Sequence, residues 1–406
     1  MHILVLDTIH GGNLLSEAFA SRGDQVDLVD VYRCESRVDI RAALSRTYDL
    51  IVAPVHLDPD HPLLKHADAP VITHHEAVRQ LLGPDLPEPM IEITGARGKT
   101  TTAHALASLL PGNGILHTST GTFRFPEKNW ISRTSITPGS VLAAVKLALE
   151  IHGWLIVEES LGVTGAGTLA ILTSDEDYTF AAGKKHAITA KIASAKHCRH
   201  LLLAQGIRAE FRDGVIHVED VASSDGTECT IKLDGRSYYF TNPLLALPAY
   251  NAPLQLAAAA ARILGIDPSP LTSFAALTGR MSVSYENTIL ILDNSNSGTN
   301  LITTVDAARY ARNITGSEEM TLVIGQQEGD GAVCEGFMAD QVLAAVEAIR
   351  PARLIWVGRF PHPGTPEYSQ LGPLVTAHVQ SLDEGLHVAK RRTPQGSIVL
   401  AVKTWR

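Results

Sequence analysis

The stretch that most restricts the fold is Ile91-Glu92-Ile93-Thr94-Gly95-Ala96-Arg97-Gly98-Lys99-Thr100-Thr101-Thr102, continued by the apolar run from Ala103 to Leu110. The β-branched run stops at Gly95 and a helix-forming pattern restarts after Gly98, which reads as strand, tight loop and helix. Two glycines let backbone N–H groups converge, the helix N-terminus adds partial positive charge, and Lys99 brings a mobile cation, so the corner is a cradle for phosphates. Gly95, Ala96, Arg97, Gly98, Lys99, Thr100 and Thr101 are the candidate contacts to ATP, with the Thr100 hydroxyl a ligand for Mg2+. Only Ala96 and Arg97 part the glycines, so the loop is a shortened variant. A glycine turn with a surface lysine is the plainer reading, and the strand before and the threonine run after argue for nucleotide.

With 406 residues, 45% hydrophobic and 19% charged, the chain suits two or three well-cored domains. A net charge of -9 argues against a broad nucleic-acid surface. Cys34, Cys198, Cys229 and Cys334 lie far apart without metal-ligand spacing, which fits a reducing cytoplasm. No basic leader opens the sequence and no apolar run reaches membrane-spanning length, so neither targeting nor anchoring to a membrane is expected.

Strand and helix patterns alternate from the start, with strands over 2–7, 26–31 and 50–55 and a helix over 13–22. Between the first strand and helix sits Asp7-Thr8-Ile9-His10-Gly11-Gly12-Asn13, where open parallel sheets bind ligands. Thr8, His10, Gly11 and Gly12 are candidate substrate contacts, and a plain turn is the equal alternative. Thr73-His74-His75-Glu76 has metal-ligand composition, but adjacent histidines point apart, so a solvated or substrate-facing cluster is expected. The turn-rich segment 83–89 separates this part from the phosphate loop. Strand 154–158 ends in Glu158-Glu159, placing a carboxylate beside the loop where magnesium needs a second ligand. Two exposed carboxylates at a strand end would read alike. Short strands and Asp-Gly turns at 213–214 and 234–235 suggest an antiparallel insertion over 206–240. An Ala-rich helix follows to Gly265, and strands near 288–293, 320–325, 353–358 and 397–402 form another α/β sheet.

The order of landmarks, Gly-x-x-Gly-Lys-Thr-Thr at 95–101, Thr120-Gly121-Thr122, Thr137-Pro138, Glu158 with Ser160, Ala190-Lys191, Asn251, Gly279-Arg280 and Asp293, resembles the Mur ligase superfamily. That resemblance implies a three-domain α/β fold: an N-terminal substrate-binding parallel α/β domain over 1–88, a central P-loop ATPase domain over 89–280, and a C-terminal Rossmann-like domain over 281–406. It implies Thr120, Thr122 and Thr137 on the substrate side of the loop, Glu158 rather than Glu159 as magnesium ligand, and Asn251 and Asp293 at the nucleoside. Tyr250, standing where the family has histidine, would stack on the base. Arg280 becomes a charge clamp and Asn296 part of a substrate-facing loop. Where family members carry Asp-His this chain has Asp177-Tyr178, so a second metal would rest on Asp177 alone. Lys191 matches a lysine that is carbamylated in several members; Lys184, Lys185 and Lys196 are its neighbouring alternatives.

Within the superfamily, the opening Leu6-Asp7-Thr8-Ile9-His10-Gly11-Gly12, the absent Mur-type histidines and the loop 293–300 look most like the coenzyme F(430) synthetases of methanogenic archaea. These imply an ATP- and Mg2+-dependent activation of a carboxylate on a large anionic nickel tetrapyrrole as an acyl phosphate, followed by carbocyclic ring closure, with Lys99, Glu158, Lys191 and Arg280 catalytic. An amide-forming Mur-type ligase, a P-loop kinase and a non-catalytic ATP-binding regulator are the rival readings.

Overall fold

The computed structural model describes residues 1–32, 38–65, 68–208, 214–327 and 337–404. Cys34, Cys334 and Asp213 lie outside the described residues; Cys198 and Cys229 are free thiols. Contacts divide the chain into two compact units, Met1–Phe274 and Ala275–Arg406.

The first unit opens with four parallel strands in the order Gln25–Val29, His2–Leu6, Leu50–Ala53, Val71–Thr73. The chain leaves the first strand to one side and returns on the other, so the carboxyl ends of His2–Leu6 and Leu50–Ala53 flank a topological switch point. The fourth strand and the following helix, His74–Leu81, take the place of the expected solvated histidine cluster. Thr73 and Glu76 form a reciprocal capping box there. His74 donates through Nε2 to Leu6 O at 3.0 Å and His75 to Ser160 O at 3.1 Å. Burial holds His74 down to about 4 and His75 to about 3, so both are neutral struts inside the unit rather than solvated groups.

Eight strands make the second sheet: Val215–His217, His200–Leu203, Leu169–Leu172, Met90–Thr94, Trp154–Glu158, Gly114–Thr118, Gly121–Phe125 and Asn129–Ser132. The first six run parallel and the last two antiparallel. Met90–Thr94 is buried along its whole length, as a central parallel strand covered on both faces must be. The two sheets share one core, in which Ile3, Val5, Leu15, Phe19 and Val78 pack with Met90, Ile115, Val141, Val145 and Val157.

The expected insertion is smaller than its sequence pattern suggests. Val215–His217 joins the main sheet parallel to His200–Leu203, and among the described residues only Ala222–Asp225, Glu228–Leu233 and Arg236–Thr241 form the antiparallel sheet. The Asp234-Gly235 turn has positive φ at both residues, 51° and 72°, the geometry that a two-residue hairpin demands.

The second unit is a six-stranded sheet in the order Ser282–Glu286, Ile289–Asp293, Ser397–Lys403, Met320–Gln326, Arg353–Val357, Val375–Val379. All neighbours are parallel except the first pair. Among the described residues no helix is long and apolar enough to cross a membrane.

Candidate active site

The phosphate loop forms as its sequence requires. Met90–Thr94 ends at Gly95, whose φ is 154°, and the helix Lys99–Ala107 starts after Gly98 at φ 82°. A Cβ on Gly95 would lie 2.1 Å from Thr173 Oγ1, so only glycine fits beside the next strand. The Thr173 hydroxyl donates to Arg97 O at 2.5 Å. Ser174 Oγ accepts from the N–H groups of Ala96 at 2.9 Å and Arg97 at 3.3 Å. These two loop supports were not foreseeable from spacing: Thr173 and Ser174 sit more than seventy residues along the chain, and parallel pairing of Thr94 with Leu172 brings them to the loop.

Behind the loop four residues converge. The Thr100 hydroxyl donates to Glu158 Oε2 at 2.8 Å and lies 3.1 Å from Ser119 Oγ, while Ser119 N–H donates to the same carboxylate oxygen at 3.1 Å. Lys99 Nζ donates to Gly95 O at 3.0 Å and stands 3.8 Å from Glu158 Oε1. Pairing of Ile93 with Glu158 in register sets this geometry. A hydroxyl and a carboxylate side by side are the oxygen donors that a hard divalent cation takes, and the lysine beside them suits phosphate, so the residues present fit both groups. Thr101 is buried in the first turn of the helix, and Arg97 pairs at the surface with Glu176 at 3.1 Å.

Glu159 turns away, as alternation along the strand requires. Fully buried, its oxygens make no hydrogen bond of ordinary geometry among the described residues; they lie against Glu92 and near the Thr164 backbone. Burial first, then the charge of Glu92, holds its carboxyl well above the ordinary range, which favours its protonated form. Glu92 in turn accepts from the N–H groups of Thr164 at 2.9 Å, Gly165 at 3.2 Å and Gly167 at 2.9 Å, and from the Thr164 hydroxyl.

Among the four lysines, geometry singles out Lys191. It is 1% exposed, its Nζ has no hydrogen-bond partner among the described residues, and it stands 4.9 Å from the centre of the Tyr178 ring. Burial, then repulsion from Lys99, brings it down to about 8. Lys184 is bound to Asp58 and Asp60, Lys185 donates to Val55 O at 3.0 Å, and Lys196 is exposed. Asp177 is exposed; its carboxylate meets His186 Nδ1 at 2.7 Å and accepts Ile188 N–H at 3.0 Å.

The remaining candidates divide. Thr120 Oγ1 lies 3.1 Å from His104 Nε2 and 2.8 Å from Thr118 Oγ1. Thr122 is buried with its hydroxyl 2.9 Å from His117 Nδ1, an internal rather than open position. Thr137 is half-buried beside Gly11, where a Cβ would come within 2.9 Å of its hydroxyl. Gly12 approaches Asp7 O so closely that a Cβ would stand 1.7 Å away, and Thr8 O accepts from Asn13 at 3.1 Å. Tyr250 is fully buried and offers no open face for a base, contrary to expectation. Asn251 is tied to Ser224 Oγ at 2.9 Å, Leu245 O at 2.8 Å and Gln255 at 2.6 Å, near the Pro253 turn that packs on Gly98.

In the second unit, Asp293 ends its strand and accepts Ser295 N–H at 3.0 Å. Asn296 donates to Gly279 O at 2.7 Å, fixing the peptide before Arg280.

The family model for the C-terminal domain of coenzyme F430 synthetase CfbE matches residues 283–404. The chain is 31% identical, over 100% of its own length and 98% of the relative's, to coenzyme F(430) synthetase of Methanosarcina acetivorans. Two solved structures share the fold. The E. coli FolC protein in complex with ADP has a TM-score of 0.59 at 14% identity, covering 82% of this chain and 90% of that one. The UDP-N-acetylmuramoylalanyl-D-glutamyl-2,6-diaminopimelate--D-alanyl-D-alanyl ligase of Acinetobacter baumannii has a TM-score of 0.56 at 15% identity, covering 97% and 95%. The α/β architecture, the strand-to-helix phosphate corner and the full-length likeness place this chain in the coenzyme F(430) synthetase family, ATP-dependent ligases built on the Mur ligase fold.

Proposed function

We propose that the chain uses ATP and Mg2+ to activate a carboxylate of a large anionic nickel tetrapyrrole and closes a carbocyclic ring in coenzyme F(430) formation. The observation that carries this reading is the convergence of Lys99, Thr100 and Glu158 at the phosphate corner. When bound, ATP supplies the phosphoryl group for an acyl phosphate, and the divalent ion screens its charge. Gly95, Ala96, Arg97, Gly98 and Thr101 shape the loop. Thr100 and Glu158 hold the ion, while Lys99 and Arg280 offset the negative charge of the transferring group. Asn251 and Asp293 are assigned to the nucleoside, and Asp177 to a second ion.

Lys191 is assigned as the lysine that takes up carbon dioxide to become a carboxylate. With its amine held at about 8, roughly one molecule in ten is neutral and nucleophilic at pH 7. Thr8, His10, Gly11, Gly12, Thr120, Thr122, Thr137 and Asn296 are assigned to the substrate side, with Thr122 acting through His117. Functionally the chain then divides at 1–88, 89–280 and 281–406.

The test is to incubate purified protein with ATP, magnesium and the ring-open nickel tetrapyrrole. ADP, phosphate and a product lighter by one water are expected without any amino acid. A strict requirement for an amino acid or ammonia would instead favour amide formation and overturn ring closure.

A further inference from the structure

At the switch point of the first sheet, three metal-ligating side chains meet that the phosphate corner does not use. Asp7 follows the strand His2–Leu6, His10 stands in the loop before the helix Gly12–Ser21, and His56 follows the strand Leu50–Ala53. His10 Nδ1 lies 2.8 Å from Asp7 Oδ2 and 3.2 Å from His56 Nε2, and the three ligand atoms all lie within 4.8 Å of one another.

Hydrogen bonding satisfies this arrangement poorly. A ring nitrogen carries one proton at most. If His10 Nδ1 donates to Asp7, it has no lone pair for a His56 N–H and can only divide its one hydrogen between Asp7 and the His56 lone pair; if it accepts from His56, it faces a carboxylate with no proton between them. One cation replacing the shared proton accepts a lone pair from each atom.

We propose that Asp7, His10 and His56 form a binding site for a first-row divalent transition metal. Two imidazoles and one carboxylate suit zinc, cobalt or iron and are a poor match for magnesium, which prefers oxygen ligands. Surrounding groups fix the ligands as a metal site requires. Asp7 accepts Ile9 N–H at 2.6 Å and His10 N–H at 3.1 Å, and it is held at φ 89°. Tyr32 stacks on His56 with ring centroids 5.7 Å apart and meets His10 edge-on at 5.5 Å. The Asp7 side chain is fully buried while that of His10 is 27% exposed, which provides an entry path. Three protein ligands leave coordination positions open for a further ligand. The site shares His10 with the substrate-side residues proposed above, but metal binding by the three ligands does not depend on ring closure.

The test uses full-length, tag-free protein stripped with chelator and titrated with cobalt(II), followed by visible absorption and calorimetry, with millimolar magnesium present and no nucleotide. One site per chain is expected, with zinc displacing cobalt. His56→Ala should lower affinity at least ~10²-fold, since even outer-shell changes cost ~10–100-fold. His387→Ala, at an exposed helical position, should leave binding unchanged. Circular dichroism checks each fold, and His10→Asn decides the matter should His56→Ala not fold. No stoichiometric cobalt binding, or equal binding by wild type and a folded ligand variant, overturns the proposal.

Discussion

The Thr100 hydroxyl donates to Glu158 Oε2 at 2.8 Å, joining the first turn of the loop helix to the end of the neighbouring strand. Both are buried, and the Ser119 N–H shares the carboxylate at 3.1 Å. The two oxygens are thereby held in place before any ligand arrives, the condition under which a fixed charge is most effective.

Glu158→Gln keeps the shape of this contact and removes its charge. Turnover should fall by at least ~10²-fold, the range seen on loss of a preorganised electrostatic partner. Lys99→Ala should fall as far. ADP release under saturating nucleotide measures both, and wild-type rates in either variant would remove that residue from the mechanism.

At Gly95, Ala introduces a Cβ 2.1 Å from Thr173 Oγ1 at a φ of 154°. Strained backbone of this kind costs ~1–3 kcal/mol, so Gly95→Ala should lower the unfolding midpoint and weaken nucleotide binding. Gly98→Ala meets Pro253 only at 3.4 Å but needs φ 82°, and should cost less in packing. Thermal melts with and without ADP distinguish the two.

Legibility in the sequence followed the range of the interactions. The phosphate corner was readable because strand, glycines and helix are consecutive, and Glu158 because a strand end carries it to the sheet edge. Ser174 was not, since its hydroxyl reaches Ala96 through parallel pairing of distant strands. His74 and His75 misled because composition says nothing about burial; each strut depends on a carbonyl far along the chain. His56 carries no local motif, and only the topology of the first sheet brings it to His10.

Lys191 gives stability a pH dependence of definite sign. Its folded value of about 8 lies below the unfolded one near ~10.4, so the unfolded chain binds more protons between them. The penalty is full below about pH 8 and disappears as pH rises through this window, so this group makes the fold more stable with increasing pH. In bicarbonate-free buffer, Lys191→Met should be more stable than wild type at pH 7, by on the order of 1–3 kcal/mol. The gain should vanish near pH ~10.5, above the unfolded value. Urea unfolding at several pH values tests this, and a variant less stable at pH 7 would contradict it.

Glu159 works in the opposite direction. Burial and Glu92 raise its carboxyl well above the ordinary range, so the folded chain binds the extra proton. The stability it brings is fully present below the unfolded value near ~4.3 and is lost as pH rises through the folded one. Glu159→Gln keeps the volume but cannot ionise. It should therefore match wild type near pH ~5 and exceed it at alkaline pH, with a flatter profile between. Glu92→Gln is the contrast, because three N–H groups and the Thr164 hydroxyl converge on that carboxylate. Presenting an amide N–H to those donors should cost ~1–3 kcal/mol at every pH. Equal pH profiles for Glu159→Gln and wild type would show that burial does not raise the Glu159 carboxyl as described.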